Sequence, residues 1–326
     1  MPGRGKHSEV VVPTVWCMVS FARLKKPLAF TVASGLGLVG FIAVAKLAKE
    51  PWPLIHANLW LATAAVVLAL VSLLLRFAGW RQLFAPDGRP DGPTCVGAGS
   101  AASVSSNFLP AKLDYALKVW LVHRLSGRRL SLKSGTVSVC MLGLVDAAAL
   151  LPLALAGAAI ASTPQIRFPL LAVAAVGLAS TGLILTAPRL HRLLPSGRLQ
   201  RFSGKVAGQR MNWRDQLTGY VLLSASLWTR VSALILLLLA LHIGGSLSGA
   251  LVFICLTAGS AFVPIPSFSL GAGTVALSAL GIGVETAARF ALAVSLITLL
   301  AALTLAVAVT VFYATRQLRS RRVVYA

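Results

Sequence analysis

The sequence predicts an all-α, polytopic integral membrane protein with about six full transmembrane helices and two re-entrant or broken helical hairpins. Three observations carry this. The 326 residues are 57% hydrophobic and 12% charged, with a mean hydropathy of +0.83, about half the charged fraction of a soluble domain. Several apolar runs reach the roughly 20 residues that cross a bilayer as a helix, and the alternating ten-residue segments of a β-barrel are not visible. Two further apolar stretches are interrupted near their middles.

In chain order, the unbroken runs predict crossings at about 27–45, 58–77, 135–161, 168–187, 217–242 and 286–313. The first broken stretch, Val96 to Val122, lies between the second and third crossings and is interrupted at Asn107-Phe108-Leu109-Pro110. The second, Ala250 to Ile282, lies between the fifth and sixth, with interruptions at Pro264-Ile265-Pro266 and at Gly271-Ala272-Gly273. A broken helix frees backbone N–H and C=O groups that hydrocarbon cannot satisfy, so breaks survive only against protein or a watery cavity. In secondary transporters such a pair of interrupted segments is a pointer to the substrate site. The expected organisation is a cytoplasmic tail over 1–26, a membrane domain over 27–313 and a basic tail over 314–326.

The charge is lopsided, with 30 Lys+Arg against 8 Asp+Glu and a net charge of +22. A nucleic-acid binder can show that balance, but here the bases sit in short segments between apolar runs. That is the pattern of topology and anionic-lipid contact, and it argues against nucleic acid as a partner. Basic residues crowd the N-terminal tail (Arg4, Lys6, Arg23, Lys25, Lys26), the stretch after the second crossing (Arg76, Arg81, Arg89) and the stretch before the third (Arg124, Arg128, Arg129, Lys133). They crowd again after the fourth crossing (Arg189 to Arg214) and at the C-terminus (Arg316, Arg319, Arg321, Arg322). The other side has Lys46, Lys49 and Arg167. The positive-inside rule then places both termini in the cytoplasm of an inner-membrane protein. Each broken stretch must leave and re-enter on one side, the first opening inward and the second outward.

Within the connection from Arg189 to Asp215, Leu199, Phe202 and Val206 recur at helical spacing beside Arg198, Arg201 and Lys205. The segment reads either as a helix lying on the inner leaflet or as a plain topology-setting loop. Cys17, Cys95, Cys140 and Cys255 are scattered, as are the five His residues, so no metal and no other cofactor is expected. No Ser/His/Asp set or phosphate loop marks an enzyme. The weak apolar run Pro13 to Ser20 is not expected to be a cleavable signal peptide.

Ionisable residues inside spans are costly and usually face the protein interior. Asp146 and Arg230 lie at similar depths in their crossings, roughly 17 and 20 Å from the cytoplasmic face at about 1.5 Å per residue. They are expected to pair, either as a structural ion pair or as a site that meets a lipid headgroup. In the first hairpin, Ser100, Ser103, Ser105, Ser106 and Asn107 precede the break, Pro110 marks it, and Lys112, Asp114 and Lys118 follow. Asp114 and Lys118 are four apart on one helical face. Two ammonium groups near a helix start can hold a phosphate, or they are ordinary cytoplasmic charge. The second hairpin supplies Pro264, Pro266, Gly271 and Gly273 as irregularity and Ser267, Ser269 and Thr274 as hydroxyls. Glu285 and Arg289, four apart at the start of the last crossing, are expected to pair with each other.

The segment order, the Asn107-Phe108-Leu109-Pro110-Ala111-Lys112 stretch, Val145-Asp146, Pro264-Ile265-Pro266 and Leu270-Gly271 resemble the transmembrane region of lysylphosphatidylglycerol synthases over about 25–315. The family pattern has Asn, then Pro-x-Arg-x-Gly-Glu, then a further Arg. Here Lys112 and Lys118 stand at the Arg positions and Asp114-Tyr115 replaces Gly-Glu. The family's later Pro-Gly-Gly-x-Gly is altered by Ser267-Phe268, with Thr274 near the expected Glu, and an Arg of the last crossing is replaced by apolar residues around Ile297. Lysine keeps the charge but loses the bidentate fork that suits phosphate.

The resemblance implies a lipid flippase-like domain in a standalone form, without the synthase domain. The expected function is therefore an inner-membrane lipid flippase or transporter with no catalysis of its own. An anionic phospholipid or polyprenyl-phosphate headgroup would sit between the hairpins. The alternative is a non-catalytic membrane partner of a lipid-modifying enzyme such as a glycosyltransferase. Lys112 and Lys118 would hold phosphate, Asp114 and Asp146 would meet any cationic part, and Arg230 would balance Asp146.

Overall fold

The computed structural model describes residues 42, 46, 52–106, 113–126, 130–161, 163–193, 213–244, 246–260 and 268–324. Among them are nine α-helices and no strand: α1 (Leu59–Gln82), α2 (Gly92–Ser105), α3 (Leu113–Leu125), α4 (Leu132–Ile160), α5 (Pro164–Leu193), α6 (Trp213–Ala240), α7 (Leu247–Ser260), α8 (Phe268–Ser278) and α9 (Val284–Val324). Five of these, α1, α4, α5, α6 and α9, contain stretches long and apolar enough to cross a bilayer. Apart from Ile42, the crossing expected at 27–45 lies outside the described residues, as do the 199–206 segment and both proline-containing interruptions.

The observed helices run past the apolar runs, because backbone hydrogen bonding continues into polar headgroup levels where charged side chains are welcome. Asn58 caps α1 by accepting from the amides of Trp60 (3.1 Å) and Leu61 (3.4 Å). Ser131 caps α4 by accepting from the amide of Ser134 at 3.1 Å. Large side chains such as Trp60, Phe168, Leu178 and Val307 stand exposed around the perimeter, as expected where lipid is the solvent. Trp60 and Trp213, near opposite membrane ends, stand where aromatic residues anchor spans at the interface.

Both expected hairpins are present as pairs of short helices packed on each other, α2 with α3 and α7 with α8. Each arm has 11 to 14 residues, hence about 17–21 Å, too short to cross about 30 Å of hydrocarbon. One reading needs correction. Gly271 and Gly273 do not interrupt the second hairpin; they lie inside α8. Glycine in a helix costs only about 1 kcal/mol. At Gly273 the absence of a side chain admits the ring of Phe253 from α7, which meets Phe290 edge-on at 5.1 Å.

The long helix α9 carries the two hairpins at opposite ends. Near its end, the Tyr313 hydroxyl shares a hydrogen bond of 2.9 Å with Thr94 of α2, and Val309 packs on Gly97. Near its start, Ala288 packs on Leu270 of α8. Those contacts are about 37 Å apart along the helix at 1.5 Å per residue. From them α2 extends to about the level of Ala301, while α7 packs on α8, which lies against the start of α9. The hairpins thus lie against opposite ends of α9.

In lipid, helices gain little from hydrophobic association, so small residues and interhelical hydrogen bonds hold them. On α1 and α6, Ser72 and Ser226 exchange hydrogen bonds with each other's backbone carbonyls, at 2.9 and 2.8 Å. Gly79 and Gly219 let the same two helices close about two turns further on. Between α4 and α5, a Cβ on Gly177 would lie 2.7 Å from the carbonyl oxygen of Ala147. Because that neighbour is backbone, Gly177→Ala is expected to destabilise the protein by about 1–3 kcal/mol. Gly182→Ala, where nothing lies within 4 Å, should be neutral or stabilising by up to about 1 kcal/mol. Denaturant unfolding in micelles compares the two.

Candidate functional site

Halfway along α1, the Ser72–Ser226 layer is flanked by two arginines. Arg76 lies one turn beyond Ser72 on α1, and Arg230 one turn beyond Ser226 on α6. The helices are antiparallel, since Asn58 donates its amide to the carbonyl of Ala240 (2.9 Å) while Gly79 meets Gly219. Helical side chains lean toward the N-terminus of their own helix, so the two guanidinium groups lean toward each other. Asp146 of α4 completes the group. Arg76, Asp146, Arg230, Ser72, Ser226, Ile297 and Thr298 line one cavity of about 40 Å³. It has room for a water or two and none for a headgroup.

The Asp146 partner differs from the expected one. Asp146 forms its ion pair with Arg76. Arg230 feels the charges of both but has no ion pair among the described residues. Asp146 and Arg230 do line one cavity, but depth along the helices leaves out Arg76, which reads as a loop charge at the end of the second run. The signal was present: Arg76 falls within the 58–77 apolar run. The structure continues α1 to Gln82, so this base lies inside the helix and not after it.

The first hairpin delivers the rest of the site. Lys118 of α3 is buried, pairs with Asp114 one turn earlier at 3.5 Å, and sits 4.9 Å from the ring centre of Tyr115. The spacing of four in the sequence puts these residues on one helical face, and the structure pairs them. Lys118 is also within electrostatic reach of Arg76 and Asp146, and Tyr115 of Arg76. The two ion pairs therefore belong to one cluster. Among the described residues it holds three cations, Arg76, Lys118 and Arg230, and two carboxylates, Asp114 and Asp146. Tyr115, at the family's Gly-Glu position, was not singled out as a site residue; only the three-dimensional packing reveals it.

The other expected residues separate into two groups. Asn107, Pro110, Lys112, Pro264 and Pro266 lie outside the described residues. Gly271 lies in the first turns of α8, where a Cβ would meet nothing within 4 Å. The hairpin serines are occupied by their own helix: Ser100 bonds the carbonyl of Val96, Ser105 that of Ala101 at 2.8 Å and Ser106 that of Ser103 at 2.8 Å. Thr274 likewise donates to the Leu270 carbonyl at 3.0 Å. Arg289 reaches the carbonyl of Pro53 at 3.0 Å, tying α9 to the segment before α1.

The sequence model of the lysylphosphatidylglycerol synthase TM region matches residues 26–319. The chain belongs to that family. No curated protein and no solved structure matches it. Membership gives the altered positions a place: Ile297, near which the resemblance leads one to expect an Arg, lines the cavity beside Arg76, Asp146 and Arg230.

Removing one partner of this half-buried ion pair leaves the other charge stranded within the bundle, a loss of about 1–3 kcal/mol. Asp146→Ala and Arg76→Gln are each expected to destabilise the protein on that scale. The exchange of Arg76→Asp with Asp146→Arg should recover part of the loss, while Arg230→Gln alone should cost less than about 1 kcal/mol. Unfolding midpoints of the five proteins, wild type included, check this order.

Proposed function

We propose that the protein is a lipid flippase-like transporter that binds the anionic headgroup of a phospholipid or polyprenyl phosphate at the cluster between its hairpins. The observation that carries the reading is the composition of that cluster. Inside an apolar bundle, three cations face two carboxylates beside the first hairpin. An uncompensated cation in a membrane protein calls for a counter-ion or a watery path, and a phosphodiester supplies one negative charge. Arg230, which has no ion pair among the described residues, is the first cation such a phosphate would meet. Lys118 is the second, once Asp114 shares it. The acyl or prenyl tails would remain in lipid.

Binding needs the cavity to widen, because about 40 Å³ does not admit a headgroup. In this reading the described arrangement is the closed state, with Asp146 held by Arg76. The role is transport without catalysis. A second reading, a non-catalytic membrane partner of a lipid-modifying enzyme, is favoured by one observation: an apolar side chain, Ile297, lines the cavity where the family resemblance leads one to expect a base.

Reconstitution in liposomes with headgroup-labelled lipids separates the two. The transport reading expects protein-dependent equilibration of anionic lipids across the bilayer, slowed about tenfold or more by Arg230→Gln and Lys118→Gln, since tenfold corresponds to about 1.4 kcal/mol. Folded protein that equilibrates no lipid of a broad panel contradicts transport and leaves the partner reading.

A further inference from the structure

We infer that the groove between the end of α4 and the start of α5 is a binding site for one phospholipid, on the membrane face opposite the basic connections. The inference does not depend on transport, because the groove is remote from the charge cluster. Its volume is about 550 Å³, and its walls are apolar, including Ala159, Phe168 and Leu171. Two polar side chains stand at its mouth. Thr163 has a buried hydroxyl oxygen with no hydrogen-bond partner. Arg167 is exposed and has no ion pair among the described residues.

The arrangement matches the chemistry of one lipid. From Thr163 to Leu171 the groove runs about 12 Å along α5, and one hydrocarbon leaflet is about 15 Å deep. Its polar mouth lies where two spans turn, which is headgroup level, and its apolar part points toward the bilayer centre. One guanidinium balances one phosphodiester, with the Thr163 hydroxyl free to donate to a phosphate oxygen. Phe168, 71% exposed, gives the acyl chain an aromatic wall. A partner helix would be a poorer fit, since helix pairs in membranes pack small residues over most of a 30 Å span.

Two measurements on the full chain test the site. In native mass spectrometry with phosphatidylglycerol as the probe, wild-type protein should retain one lipid that Arg167→Gln retains about three- to tenfold less. Arg167→Lys should keep most of it, and Ala159→Trp, which fills the groove from its exposed side, should lose it. A benzophenone amino acid in place of Phe168 should cross-link labelled phosphatidylglycerol in liposomes. Equal lipid retention by wild type, Arg167→Gln and Ala159→Trp overturns the proposal. So does cross-linking from position 168 to a polypeptide in place of lipid.

Discussion

The ion pair between Arg76 and Asp146 joins α1 to α4 inside the bundle, and the surrounding architecture follows from what it costs to keep charges there. Neither residue can face hydrocarbon alone. Asp146 therefore has to meet a base. Arg76 reaches it because α1 and α6 close tightly through Ser72, Ser226, Gly79 and Gly219. The closeness of those helices also brings Arg230 to the same cavity. Close packing by small residues and the placement of the charges are thus two aspects of one arrangement.

The long helix α9 organises the rest. Its two ends hold the hairpins through different chemistry: a hydroxyl pair and a glycine contact at Thr94, Tyr313 and Gly97, and apolar and aromatic packing at Ala288 and Phe290. Its middle, at Ile297 and Thr298, faces the cavity. The two hairpins are chemically unequal: the first carries Asp114, Tyr115 and Lys118, while α7 and α8 of the second carry no charge.

Much of this was legible in the residues. Apolar runs of about 20 gave the long helices, because length and hydropathy alone decide what crosses a bilayer. The two short-armed hairpins and the Asp114–Lys118 pair followed from breaks and from a spacing of four. Three things did not. The Gly271 and Gly273 positions read as a break because glycine disfavours helices; the sequence does not reveal that Phe253 occupies the space left at Gly273. The Asp146 partner was misassigned because pairing depends on which helices touch, and depth along a helix says nothing about neighbours. Tyr115 joined the cluster through the packing of α3 alone, with no local pattern to mark it.

The central claim is that the cluster of Arg76, Lys118 and Arg230 is a seat for a lipid phosphate. It is tested most directly by cryo-electron microscopy of the protein in nanodiscs containing phosphatidylglycerol. The account predicts phosphate density among those three side chains, with the cavity enlarged. A map in which the cluster stays closed, Asp146 remains on Arg76 and no phosphate density lies within it at saturating anionic lipid would contradict the claim.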